Sequence, residues 1–90
     1  MKFNLNFRKI SKKWKLIKGK KIARKFRFND FKEAVKFVNK VAEIAESENH
    51  HPDIFIFYNE VVVELWTHSA KGLTEKDFIV AAKIQKIASL

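Results

Sequence analysis

The sequence predicts an α+β domain of order β-β-α-β-β-α, a four-stranded antiparallel sheet with helices packed on one face. Three observations lead there. Two stretches rich in β-branched and aromatic residues are each interrupted by a tight-turn signal, so each reads as a hairpin. Each hairpin is followed by a segment of helical period that opens on a capping residue. The chain has 90 residues, 47% of them hydrophobic and 13% aromatic, which supplies one core and not two. Residues 1–90 are therefore expected to form a single domain.

Lys15–Lys18 and Lys20–Phe28 flank Gly19 and predict the first hairpin. The second run places Ile22, Phe26 and Phe28 in one phase and Ala23, Lys25 and Arg27 in the other, with Arg24 interrupting the apolar phase. A helix opens at Asp30, which can cap it while Glu33 stands at the capping-box position. Phe31, Val35, Val38, Ala42 and Ala45 then predict a core stripe, and Phe37, Val41 and Ile44 widen the apolar arc. The helix must stop before Pro52, because proline disfavours helical geometry in the residue before it.

Ile54–Tyr58 and Val61–Thr67 predict the second hairpin, with Asn59-Glu60 as its turn. If Val61, Val63 and Leu65 face the helices, the pleat sends Val62, Glu64, Trp66 and His68 to the other face. An uncovered face carrying Trp66 and His68 is expected to be an oligomer surface or a binding surface. Gly72 ends this section, and Thr74 caps a last helix with Asp77 at its capping-box position. That helix is apolar on two sides, with Phe78, Ala81, Ala82 and Gln85 on one and Val80, Ile84 and Ile87 on another. With the wide arc of the first helix, it predicts a homodimer or homotetramer assembled through helices.

Composition excludes several functions. There is no cysteine, hence no disulfide, thiolate metal site or cysteine nucleophile. No apolar run is long enough to span a bilayer, and the N-terminal stretch has no signal-peptide apolar core, so no membrane association and a cytoplasmic location are expected. The net charge of +9 is uneven: residues 1–29 hold 12 Lys/Arg and no carboxylate, while the remainder holds 7 against all 10 Asp/Glu. Such a basic third suits either solvated strand faces or an anionic partner such as nucleic acid, although no recognition helix or zinc finger accompanies it.

All three histidines fall in one part of the chain, in Glu46-Ser-Glu-Asn-His50-His51-Pro52-Asp53 and at His68. Tracing the second hairpin back from its turn sets Pro52 near Thr67, so His68 is expected close to His50 and His51. Three imidazoles could hold zinc with a water, although adjacent histidines tend to point apart. They could also be unlinked surface groups. Acid–base chemistry is the reading that uses them best, because imidazole gives and takes a proton near neutrality. Nucleophilic catalysis has no support: Ser47 and Ser69 stand near histidines, but no Gly-x-Ser-x-Gly elbow is present.

The spacing of Glu46, His50, His51, Pro52, Tyr58, His68 and Asp77, E-x3-H-H-P-x5-Y-x9-H-x8-D, resembles the signature of the pterin-4a-carbinolamine dehydratases. The flanking text agrees: Phe28-Asn-Asp-Phe31, Tyr58-Asn59-x-Val61, Leu65-x-Thr-His68 and Gly72-Leu-Thr-x-x-Asp77, so that the likeness runs from Trp14 to Ile87. One departure is that only thirteen residues precede Trp14, where the family has a helix of about a dozen residues or more; that helix is expected to be short or absent.

The resemblance implies an enzyme that removes water from a 4a-hydroxytetrahydropterin to give the quinonoid dihydropterin, needing neither cofactor nor metal. It also implies a saddle-like dimer. His50 and His68 are then the acid–base pair and His51 orients the pterin, with Glu46, Pro52, Trp66, Thr67 and Asp77 binding substrate or supporting the histidines. Read from the residues alone, Asp77 has an ample explanation as the partner of Thr74 in a capping box, and Glu46, one helical turn before His50, as a hydrogen-bond acceptor for an imidazole. The competing reading is a binding module on the same scaffold that performs no turnover.

Overall fold

The computed structural model describes residues 10–88. Four strands, β1 (Lys15–Ile17), β2 (Lys21–Arg27), β3 (Asp53–Phe57) and β4 (Glu60–Leu65), form one antiparallel sheet in the order β1-β2-β4-β3. Helix α1 (Phe31–Glu48) joins the hairpins, and helix α2 (Glu75–Ala88) follows the second. The expected α+β order is what the chain adopts. Whether a helix precedes Trp14 turns on residues 1–9, which lie outside those described.

The first turn is tight because Lys18 and Gly19 both take positive φ, 52° and 71°, and Lys20 N–H donates to Ile17 O at 3.0 Å. Glycine meets that geometry without a Cβ clash. On β2, Ile22 and Phe26 are buried and face the helices, as the alternation predicts. On β4, Val61, Val63 and Leu65 are fully buried on the same side.

Helix α1 opens as expected, with Asp30 Oδ1 accepting from Glu33 N–H at 2.9 Å. Its buried face is Ala34, Phe37, Val41 and Ala45, whereas Phe31 is 52% exposed and Ala42 is also exposed. The expected stripe is thus rotated. The two candidate stripes are neighbours on one helix, and α2 decides between them: Phe37 and Val41 join Val80, Ala81 and Ile84 in the core. This also corrects the argument for assembly through helices, because the apolar surplus of the two helices is largely buried within one chain.

The second hairpin turns one residue earlier than expected. Phe57 pairs with Glu60, leaving Tyr58-Asn59 as the loop, and Tyr58 takes the positive φ (49°). Asn59 instead holds the end of β2: its carbonyl accepts from Phe28 N–H at 2.8 Å, and its Nδ2 donates to Phe28 O at 3.0 Å. The register shifts by two positions, so that Asp53 rather than Phe55 or its neighbours meets Glu64, and the line of pairing runs toward His51 beside Trp66 and His50 beside Thr67. A two-residue shift preserves the pleat, which is why the expected faces of β4 survive it.

Candidate active site

The site forms where three chain segments end together. Helix α1 stops in a Schellman motif: Asn49 adopts the left-handed conformation (φ 51°), its N–H bonds Glu46 O, and His50 N–H bonds Ala45 O at 3.0 Å. Asparagine tolerates that φ better than most residues, and the motif sets the direction in which His50 and His51 leave the helix. Beyond β4, Thr67 and Gly72 form an isolated antiparallel bridge around a 3₁₀ turn, His68–Ala70. His68 therefore sits on a short loop and not on the strand itself. The third segment is the first turn of α2.

An open cleft of about 380 Å³ is lined by Asn49, His50, His51, Trp66, Thr67, His68, Ser69 and Lys76. All three histidines reach it, as the hairpin argument expects. His50 is the constrained one. Its Nε2 lies 2.6 Å from Oδ1 of Asp77, and its side chain is 11% exposed against 0% for Asp77. The other oxygen of Asp77 accepts from Thr67 Oγ1 at 2.8 Å and from Thr74 N–H at 2.9 Å. The hydroxyl proton of Thr67 is used there, so Thr74 Oγ1 is the donor in the 2.8 Å bond between the two threonines. Asp77 thus caps α2, as the sequence suggests, and also orients His50, which a capping argument alone does not reveal.

The other two imidazoles are open. His51 Nε2 meets Glu46 Oε2 at 2.5 Å, with both side chains largely exposed, so the expected carboxylate–imidazole contact exists but involves His51. His68 stacks on Trp66, with ring centroids 3.9 Å apart and planes inclined by 28°. Trp66 Nε1 donates to Asp53 Oδ2 at 3.4 Å. Pro52 is half-buried and does not line the cleft. Asn49 and Lys76 line it without having been singled out from the sequence. Asn49 carried a signal, as the residue between the helix and the histidine pair. Lys76 carried none beyond its place between Thr74 and Asp77. Among the described residues no three His, Asp or Glu side chains are grouped so as to hold a metal ion.

Chemically, the cleft offers a largely buried imidazole with a buried carboxylate at Nε2, an exposed one with an exposed carboxylate at Nε2, and a third that is stacked on Trp66 and open to solvent. A carboxylate oxygen only accepts, so the 2.6 Å contact with Asp77 Oδ1 is made by the His50 tautomer that carries a proton on Nε2.

Comparison with known proteins points in one direction. Residues 4–87 match the family model described as pterin 4 alpha carbinolamine dehydratase. A protein of Sulfurisphaera tokodaii, named as a proposed pterin-4-alpha-carbinolamine dehydratase, is 54% identical over 76 residues, covering 84% of this chain and 81% of its own length. One of Trichormus variabilis with the same name is 57% identical over 71 residues, covering 79% and 76%. Among solved structures, the transcriptional coactivator/pterin dehydratase of Brucella melitensis superposes with a TM-score of 0.86 at 40% identity, covering 96% of this chain and 92% of that one. A pterin dehydratase-like protein, described as a RuBisCO assembly factor in the alpha-carboxysome, shares the fold with a TM-score of 0.70 at 21% identity, covering 83% and 88%.

Proposed function

Because the chain belongs to the pterin 4 alpha carbinolamine dehydratase family, we propose that it is a hydro-lyase that eliminates water from a 4a-hydroxytetrahydropterin by histidine acid–base catalysis. The observation that carries this reading is the convergence of His50, His51 and His68 on one cleft, with His50 tied to the buried Asp77. In the step, an imidazolium of His68 gives its proton to the 4a-hydroxyl, the C4a–O bond breaks and water leaves. Nδ1 of His50 takes the proton from N5, and the electron pair released there forms the N5–C4a double bond of the quinonoid dihydropterin. His50 ends protonated and His68 neutral, and solvent restores both. His51, held by Glu46, orients the pterin. Each positioned imidazole contributes on the order of 10²–10⁴ in rate.

Assembly belongs to the same proposal. Among the described residues strand β3 is an edge strand, and Phe55, Ile56, Phe57 and Tyr58 on it and its turn are 44%, 40%, 60% and 66% exposed. Exposed apolar side chains on an unpaired edge favour pairing with a second copy, which would continue the sheet across a dimer. The dimer of this reading forms through β3 and not through the helices.

The test is turnover of chemically generated 4a-hydroxytetrahydropterin. His50→Ala and His68→Ala are each expected to lower the rate at least about tenfold with melting unchanged. Wild-type rates in both variants would overturn the roles assigned to them, and an inactive wild-type protein would leave a binding module on the same fold.

A further inference from the structure

Strand β2 carries four cations, and three of them pair with carboxylates of β4: Lys21 with Glu64 at 2.8 Å, Lys25 with Glu60 at 3.7 Å, and Arg27 with Glu60. Arg24 does not. It stands between Ile22 and Phe26 in the phase that faces the helices, half-buried, with its guanidinium carbon 4.4 Å from the centroid of the Phe26 ring. Its Nε is buried without a hydrogen-bond partner. The only other such donor among the described residues is Nε1 of Trp14, whose ring also meets Phe26, at 6.0 Å. This corner of the fold is rich in donors and poor in acceptors. Burial pushes the Arg24 guanidinium down from its ordinary value, as expected for a desolvated cation with no carboxylate paired to it among the described residues.

Arg24 lines two clefts, of about 760 and 470 Å³, which share Ser11 and Lys13. Together they carry Lys12, Lys13, Lys15, Lys25 and Lys86 besides Arg24, and no Asp or Glu among their described lining residues. The wall that bears Lys12 and Lys13 is pinned: Ser11 N–H donates to Gln85 Oε1 at 2.8 Å, Trp14 N–H donates to Ser11 O at 3.1 Å, and Trp14 is 1% exposed. Neither cleft shares a described lining residue with the histidine cleft.

We propose that this corner is a second binding site, for a ligand bearing two or more phosphates, with Arg24 as its central contact and Lys12, Lys13 and Lys15 completing it. A guanidinium presents parallel N–H donors that match phosphate oxygens, and the lysines add point charges around them. A lone carboxylate would offset one of the four cations Arg24, Lys12, Lys13 and Lys15, whereas a short polyphosphate carries charge in proportion. Both clefts are open to solvent, so a chain of phosphates can lie along them. The site is separate from the dehydratase reading and stands or falls without it.

The test is calorimetric titration of the full chain with inorganic tripolyphosphate at about 50 and 200 mM salt, beside a short DNA duplex. The wild-type protein is expected to bind one tripolyphosphate per chain. Arg24→Gln and Lys13→Gln should each weaken binding at least about tenfold, while Lys40→Gln, the same charge change on exposed α1 surface, should alter it less than about twofold. Lys13 is exposed, so its variant decides the matter if Arg24→Gln melts early. No tripolyphosphate binding, equal losses in all three variants, or binding of the duplex alone would each overturn the proposal.

Discussion

Replacing Asp77 tests how the histidine cleft is held together. Its carboxylate is wholly buried and accepts from His50 Nε2, Thr67 Oγ1 and Thr74 N–H at 2.6, 2.8 and 2.9 Å. Asp77→Ala strands all three donors. An unsatisfied buried donor costs about 1–3 kcal/mol, and because His50 is 11% exposed, water can reach that edge. The low end therefore applies, giving a loss of about 3–4 kcal/mol in all.

Asp77→Asn keeps the shape. Its amide oxygen can serve Thr67 and Thr74, but its NH₂ then occupies the place of Oδ1 and must donate, so Nε2 of His50 has to give up its proton and Nδ1 has to carry one. The expected cost is about 1–2 kcal/mol in stability. If Nδ1 is the base, turnover falls by about 10²–10⁴ as well. Urea denaturation reads the first effect, imidazole ¹⁵N shifts read the tautomer, and the turnover assay reads the third. A Asp77→Asn protein with wild-type stability and the proton still on Nε2 would refute the reasoning.

Three further outcomes follow from particular contacts. Phe57→Lys on the β3 edge is expected to shift a micromolar dimer toward monomer in sedimentation, weakening association at least about tenfold; an unchanged profile would exclude this edge as the interface. Glu60 is held below its ordinary carboxylate range, first by the Arg27 hydrogen bond, against an opposing effect of burial, and then by the charges of Lys25 and Arg27. Its folded pKa lies below the unfolded value, so its stabilisation is present above about pH 4.3 and lost as pH falls through that value toward the folded one. Glu60→Gln should flatten the fall in stability there, and identical pH profiles for the two proteins would contradict it. Asn49→Ala removes the short polar side chain that makes φ 51° tolerable to asparagine and should cost about 1 kcal/mol by urea denaturation, whereas Asn49→Gly should be near neutral.

Much of this molecule is local and was legible as such. The order of elements, the Asp30 cap, the Gly19 turn and the faces of β2 and β4 depend on neighbours a few residues away, where period and capping chemistry act directly. The histidine spacing was equally visible, and with the hairpin it predicted that three imidazoles meet. What sequence could not supply depends on which surfaces pack. Two apolar stripes on α1 are equivalent until α2 selects Phe37 and Val41 over Phe31 and Ala42. Asp77 satisfies a capping box on paper, and only the approach of α1's end to α2's start adds His50 to its partners, across 27 positions of chain. Arg24 read as a break in an alternating pattern, and its missing acceptor emerges only where β2, α2 and the segment before β1 close on one another. Period and capping act within a turn or a strand pair, whereas burial and hydrogen-bond satisfaction are properties of the closed core, which no local stretch of sequence contains.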